Sequence, residues 1–235
     1  MNQSAAPVPL KHYPPCPNPD KAAMKDVGDR VRARLEADPM VQRIAADHAE
    51  IWAVADFVTP GECDRLMAMI DRTAVPSKIL DHGYNEVWRT SYSGDVDVND
   101  GFVKMVERRI DDLIGLPHEW GETIQGQRYA PGQEFREHMD WFWTKAPYFK
   151  AESRRGGQRS YTAMIYLNDV EEGGETAFLN LAISVPPQRG VLLAWNNATL
   201  DGSLNQFTLH AGLPVAKGTK YIVTKWYRTR RWGNA

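Results

Sequence analysis

His138 and Asp140 stand two residues apart in Phe135-Arg136-Glu137-His138-Met139-Asp140-Trp141, and a second imidazole, His210, closes the remote segment Thr208-Leu209-His210, with Lys220 soon after it. Two imidazoles and one carboxylate are the donor set that holds a divalent iron on one face and leaves its other positions open for oxygen chemistry. An iron enzyme is therefore the leading reading of these residues.

His-x-Asp alone recurs by chance, so its surroundings must carry weight. Among the six histidines, His48 offers a rival in Asp47-His48-Ala49-Glu50. Met24, Val27, Val31 and Leu35, then Val41, Ile44, Ala45 and His48, recur at helical spacing, with Asp38 as N-cap and Pro39 at the first helical position. On a helix, positions i and i+2 point about 200° apart, so His48 and Glu50 would not share an ion. His48 is then a helix residue that partly packs against the core. The aromatic stretch Phe135, Trp141, Phe142 and Trp143 predicts a strand over 135–143 instead. There, i and i+2 share a face about 6 to 7 Å apart, which suits joint ligation.

The elements that must position these residues read as follows. Residues 1–20, with Pro14-Pro15-Cys16-Pro17-Asn18-Pro19, form a mobile arm. Helices run to about residue 50, and 51–58 is a strand. Thr59-Pro60-Gly61-Glu62 is a capping box that opens a helix with Cys63, Leu66, Met67 and Ile70 inward. A further helix starts near Asn99, turns Phe102, Val106, Ile110 and Leu113 inward and stops at Gly115. Short strands then follow over 123–129, 135–143, 161–168, 176–185, 191–195, 207–211 and 220–228. Helical support over about 21–115 ahead of a β core over about 120–230 predicts one mainly β domain, 21–235, of sandwich or jelly-roll type braced by N-terminal helices.

In the last strand, alternation places Lys220, Ile222, Thr224, Trp226 and Arg228 on one face and Tyr221, Val223, Lys225 and Tyr227 on the other. The first face could line a pocket with His210, although the residues alone favour Lys220 as a solvated edge charge and Trp226 as ordinary core.

A chain of 235 residues can bury a sizeable core. A net charge of −2 and a pI near 6.3 give no electrostatic case for a nucleic-acid partner. No apolar run reaches a membrane span, and the polar start lacks the apolar centre of a secretory signal, so no membrane partner and cytoplasmic residence are expected. Cys16 and Cys63 are too few for a disulfide framework or a Cys-based zinc site.

Arg89-Thr90-Ser91, Tyr129-Ala130-Pro131-Gly132, His138-Met139-Asp140, Gln158-Arg159, the run from Tyr166 to Thr176, the run from His210 to Val215, Gly218-Thr219-Lys220 and Lys225-Trp226-Tyr227-Arg228 appear in one order along the chain. In these segments the sequence closely resembles the prolyl 4-hydroxylase family of 2-oxoglutarate- and Fe(II)-dependent dioxygenases. The resemblance implies a double-stranded β-helix, or jelly roll, with His138, Asp140 and His210 as iron ligands. It implies that Lys220 pairs with the distal carboxylate of 2-oxoglutarate, with hydroxyl hydrogen bonds from Tyr129 and Thr176. Arg159 and Trp226, together with Arg89, Ser91 and Glu122, would face the substrate. Fe(II), the cosubstrates 2-oxoglutarate and O2, and ascorbate as reductant are the cofactors implied. The implied reaction releases succinate and CO2 and hydroxylates an unactivated C–H bond, first of all C4 of a prolyl residue in a peptide or protein.

Two departures stand out. Phe135 occupies a position where many members carry Tyr, and residues 141–157 mix aromatic and basic side chains, reading equally as a recognition loop or as a solvated surface loop. A same-fold hydroxylase of a small molecule is the alternative reading. Halogenation is disfavoured by Asp140, since that chemistry replaces the carboxylate ligand. A non-catalytic metal-binding jelly roll is disfavoured because Lys220 and Tyr129 accompany the full triad.

Overall fold

The structure, a computed structural model, describes residues 10–77 and 88–233. Met24, Val27, Val31 and Leu35 form the buried stripe of α1 (Lys21–Glu36), as their spacing predicts. The helix expected over the following stretch does not form. Asp38 accepts the Met40 backbone N–H (3.0 Å), and β1 (Val41–Arg43) pairs antiparallel with β2 (Ile51–Val54). A local side-chain turn and a strand ladder thus outcompete a 3–4 periodicity that rests in part on the β-branched Val41 and Ile44. β2 also stops short of residue 58, because Asp56 adopts a left-handed φ of 52° and turns the chain.

Thr59 and Glu62 form the expected reciprocal capping box, with Pro60 at the first position of α2 (Pro60–Thr73). Its buried face is Cys63, Leu66, Met69 and Ile70. β3 (Val75–Pro76) and β4 (Tyr92–Asp95) lead to α3 (Gly101–Ile114), capped by Asp100 and ended by Gly115 at φ 74°. The remaining elements are β5 (Gln125–Tyr129), β6 (Phe135–His138), α4 (Phe149–Arg154), β7 (Arg159–Tyr166), β8 (Glu172–Gly173) and β9 (Thr176–Phe178). They continue with β10 (Ile183–Val185), β11 (Leu192–Asn196), β12 (His210–Gly212), β13 (Val215–Lys217) and β14 (Lys220–Arg228).

Among the described residues the strands form a large sheet in the order β1-β2-β11-β7-β14-β5-β4-β3, a small sheet β10-β9-β12-β6 and a two-stranded ribbon β13-β8. The fold is mainly antiparallel β, a jelly roll. Alternation along β14 divides the core as its sequence predicts. Val223 and Tyr227 join α1, α2 and α3 on the outer face of the large sheet, whereas Ile222 packs inward with Tyr129, Met164, Tyr166, Phe178 and Trp195. Lys225, fully buried on the outer face, is matched by Asp111 (2.9 Å) and Glu107 (3.2 Å) of α3, and Tyr227 donates to Asp111 (2.6 Å). This network pins α3 to β14, since a buried charge is tolerated only with its partners in place.

The N-terminal arm and the segment 141–157, which reads as a recognition loop or as a solvated surface loop, both make contacts with the rest of the fold. In the arm, residues 1–9 lie outside the described residues, but Lys11 N donates to Asn180 Oδ1 (2.9 Å), Asn18 Nδ2 to the Gly202 carbonyl (2.8 Å) and Gln158 N to Asp20 Oδ2 (3.0 Å). In the segment 141–157, Trp141, Phe142 and Glu152 are buried, and Arg228 ties α4 to β14 through Glu152 (2.6 Å). No helix of the described residues is long and apolar enough to cross a membrane.

Candidate metal centre

β6 and β12 are neighbours in the small sheet, and their register sets His138 directly opposite His210. Opposed residues of an antiparallel pair hold their Cβ atoms about 5 Å apart, and the two imidazole centroids converge to 4.2 Å. Each ring is oriented by its own strand. His138 Nδ1 lies 2.8 Å from the Arg136 carbonyl and His210 Nδ1 lies 2.9 Å from the Thr208 carbonyl. A carbonyl only accepts, so Nδ1 carries the proton on both rings and Nε2 presents its lone pair to the space between them.

Asp140 arrives by a different route from the one expected. β6 ends at His138, because Gln158 takes both the Phe142 N–H (2.9 Å) and the Phe142 carbonyl (2.6 Å) that a longer strand would have paired. The chain bends, with Trp141 N donating to the Met139 carbonyl (2.8 Å), and this bend swings the Asp140 carboxylate to 4.0 Å from His138 Nε2 and 3.8 Å from His210 Nε2. Thr162 of β7 donates to Asp140 Oδ2 (2.8 Å) and accepts from Asn197 Nδ2 (3.1 Å). The three donor atoms lie within 4.8 Å of one another, the only such group among the described residues. Donors held about 2.0–2.2 Å from an ion lie about 3 to 4 Å apart, so the set fits one first-row divalent metal after a small contraction. Burial, reinforced by His210, pushes the His138 pKa down to about 3, which keeps that imidazole neutral for ligation.

His48 and Glu50 do not form a rival site, though not for the helical reason. His48 is exposed in a turn against Phe207 (ring centroids 4.4 Å), while buried Glu50 is taken up by Arg32 and by Asn196 Nδ2 (2.8 Å).

The triad sits at a neck between two cavities, and Phe135, His138, Asp140 and Trp226 line both. The inner one, about 40 Å³, lies inside the jelly roll and includes Lys220, Tyr129 and Thr176. Lys220 is not a solvated edge charge. It is 2% exposed, its Nζ 5.4 and 5.5 Å from the Tyr129 and Tyr166 ring centroids, and no acidic group among the described residues forms an ion pair with it. Burial, partly offset by Glu175, pushes its pKa down to about 7. Tyr129 donates to Gln127 Oε1 (2.7 Å) and Tyr166 to Thr176 Oγ1 (2.7 Å).

The outer cavity, about 450 Å³, is lined by Arg89, Glu122, Arg159 and Trp226, with Trp88, Trp141, Phe142 and Trp143 around them. The Arg159 guanidinium lies 4.2 Å from the Trp226 ring centroid and 3.8 Å from Asp140, and its Nε and Nη2 donate to Glu122 (2.6 and 2.8 Å). Glu122 also pairs with Arg228 (2.5 Å), so its oxygens serve the protein itself. Ser91 is buried behind the cavity wall, where it accepts from Arg89 Nε (2.8 Å). Phe135 stacks on His138 (centroids 3.6 Å, 16°) with the Arg89 guanidinium 4.9 Å from its ring centroid, a platform that needs no hydroxyl.

Sequence reasoning missed Thr162, Asn197 and Trp195, whose ring meets His210 edge-on at 4.9 Å. Alternation along the strand at 161–168 would have put Thr162 on the face of Met164 and Tyr166, but nothing marked that face as the inner one. Tyr13, which also lines the outer cavity, had no signal at all.

The family pattern described as the 2OG-Fe(II) oxygenase superfamily matches residues 124–228. Over 202 residues the chain is 32% identical to "Probable prolyl 4-hydroxylase 8" of Arabidopsis thaliana, covering 75% of this chain and 68% of that protein. Prolyl 4-hydroxylase 1 of the same plant is 33% identical over 200 residues, covering 77% and 69%. Among solved structures, the viral collagen prolyl hydroxylase from Paramecium Bursaria Chlorella virus-1, in its 2OG complex, aligns with a TM-score of 0.58 at 25% identity, covering 82% of this chain and 97% of that one.

Proposed function

The chain belongs to the prolyl 4-hydroxylase family of 2-oxoglutarate- and Fe(II)-dependent oxygenases, and we propose from this that His138, Asp140 and His210 hold Fe(II) while Lys220, Tyr129 and Thr176 hold 2-oxoglutarate. The substrate in this reading is a prolyl residue of a peptide or protein, hydroxylated at C4. The observation that carries it is the neck: a two-His, one-carboxylate set between an aromatic outer cavity and an inner pocket that ends on a buried lysine with no ion-pair partner among the described residues.

With iron, 2-oxoglutarate and dioxygen in place, the chemistry supplied is oxidative decarboxylation to succinate and CO2 coupled to hydroxylation of a C–H bond. The residues of this chain prepare it. Arg136 and Thr208 carbonyls fix the imidazole tautomers, and Thr162 holds the carboxylate. Lys220, costly as an unpaired buried cation, gains its counter-charge from the distal carboxylate of the cosubstrate and takes up a proton as that carboxylate binds. Arg159, held by Glu122 over the Trp226 ring, offers its remaining N–H groups to a substrate carbonyl, and Trp226 offers a flat face to a pyrrolidine ring. Trp141 and Phe142 exclude water from the neck.

Ascorbate is the reductant in this reading, and residence in a reducing cytoplasm goes with a chain of two free cysteines. One domain, 21–235, carries the activity behind an N-terminal arm. A small-molecule substrate is the second reading, favoured by the aromatic lining of the outer cavity, whose volume of about 450 Å³ falls in the range of small-ligand pockets. Incubation with Fe(II), ascorbate and 2-oxoglutarate tests both. Succinate with a +16 Da product from a prolyl-peptide library supports the first, a +16 Da metabolite from a lysate supports the second, and no succinate contradicts both.

A further inference from the structure

The arm is too closely fitted to the outer cavity to be a simple leader to α1. Within residues 10–17 Tyr13 and Cys16 are half-buried and the rest exposed, and both meet the same neighbour, the segment 141–157. The Tyr13 ring stacks on Trp143 (centroids 5.8 Å, 27°) and lines the cavity that His138 and Asp140 also line. Cys16 Sγ lies 3.5 Å from Thr144 Oγ1. On the other side the arm is fastened to the jelly roll. Lys11 and Asn180 exchange two hydrogen bonds (2.9 and 3.1 Å), Lys11 Nζ pairs with Glu137, and Gln206 Nε2 donates to the Tyr13 carbonyl (3.3 Å). Pro14, Pro15 and Pro17 restrict the backbone between these anchors, so ordering the segment costs less entropy than it would for a flexible chain.

We propose that residues 11–16 are a fixed wall of the substrate cavity and that Tyr13, stacked on Trp143, is a specificity-determining residue that contacts the substrate. The proposal rests on the reading that the outer cavity receives the substrate. The stacked pair adds an aromatic surface to the cavity that Arg159 and Trp226 also line, so a chain entering the neck meets aromatic walls from both the arm and the jelly roll. Such walls favour a substrate with flat apolar rings and a pre-ordered extended backbone, as a proline-rich peptide has.

A poly(L-proline) decapeptide is the probe, with hydroxylation read as +16 Da. Tyr13→Ala should raise the peptide KM about tenfold, the loss of one aromatic contact, while the KM for 2-oxoglutarate stays within about twofold of wild type; Tyr13→Phe should restore the peptide KM. An unchanged peptide KM in Tyr13→Ala overturns the assignment, and a lowered one overturns it in favour of a strap that obstructs the cavity. Thr144→Cys supplies a readout apart from peptide turnover, because its thiol should close a disulfide with Cys16 under mild oxidation. The cross-linked enzyme should keep the wild-type peptide KM. Failure to cross-link, or loss of peptide turnover that reductant reverses, shows an arm that is elsewhere or must leave, and rejects the wall. If the wild-type enzyme converts 2-oxoglutarate but leaves the decapeptide untouched, the prolyl reading fails and the wall stands or falls on the cross-link.

Discussion

His138 and His210 face each other across one antiparallel pair of strands, and each imidazole is turned inward by a carbonyl of its own strand, Arg136 for the first and Thr208 for the second. The candidate metal site is thus built on a register. A slip of one residue between β6 and β12 would send one ring to the opposite face of the small sheet.

His138→Ala, Asp140→Ala and His210→Ala should each abolish Fe(II)-dependent succinate formation while thermal unfolding stays cooperative, because each removes one of three donors while Phe135, Trp195 and Trp226 remain around the site. Iron content by metal analysis and turnover are measured together. Wild-type turnover with unchanged iron in any one variant would remove that residue from the ligand set.

Thr162→Val keeps the shape of the side chain but removes the hydrogen bond to Asp140 Oδ2. Loss of a partner that orients a ligand costs about 10- to 100-fold in metal affinity or activity. The Fe(II) concentration for half-maximal turnover should rise by that order, with Tm reported alongside. An unchanged requirement would show that Asp140 needs no support from β7.

Much of this was legible in the residues. The candidate donor set of two imidazoles and one carboxylate follows from donor chemistry, and the face of β14 that carries Lys220 and Trp226 follows from alternation. How Asp140 reaches the site was not, because the bend depends on Gln158 reaching across to the Phe142 backbone, a contact between remote segments that no local pattern encodes. The stretch after Asp38 was misread because Val41 and Ile44 satisfy helical spacing as well as a short strand and its turn. The burial of Lys220 was hidden for a related reason: alternation tells which side chains share a face, but not which face is sealed. Tyr13 sits in a proline-rich stretch with no periodicity, so its contact with Trp143 could come only from the folded chain.

Lys220 should make both stability and cosubstrate binding depend on pH. Its folded pKa, about 7, lies below the unfolded value of about 10.4. The unfolded chain therefore binds more protons between those values, so the cost of burying the charge is full below pH 7 and fades as pH rises toward 10. Without 2-oxoglutarate, Lys220→Met should have a higher Tm than wild type at pH 6, and the gap should shrink to about a quarter by about pH 9.5 and vanish only above the unfolded pKa. A constant gap across that range would contradict the assignment.

The same titration governs binding. Above about pH 7 the 2-oxoglutarate affinity of the wild type should weaken about tenfold per pH unit, with proton uptake seen as a buffer-dependent binding enthalpy. Lys220→Ala should lose about 10- to 100-fold in affinity at pH 6.5, the range expected for a charge-assisted pair. An affinity in that variant equal to wild type would place the distal carboxylate elsewhere.

Arg159→Ala and Trp226→Ala separate substrate from cofactor. Both should depress hydroxylation of the peptide far more than they depress conversion of 2-oxoglutarate to succinate, since Arg159 and Trp226 line the outer cavity. Parallel loss of both activities with a falling Tm would instead make the pair a structural brace between β7 and β14.

The central claim, that the neck holding His138, Asp140 and His210 runs 2-oxoglutarate-dependent oxygen chemistry, is tested most directly by turnover under 18O2 in unlabelled water. The account predicts succinate carrying one 18O atom from the wild type and none formed by His138→Ala. Succinate without label, or labelled succinate from the variant at the wild-type rate, would contradict it.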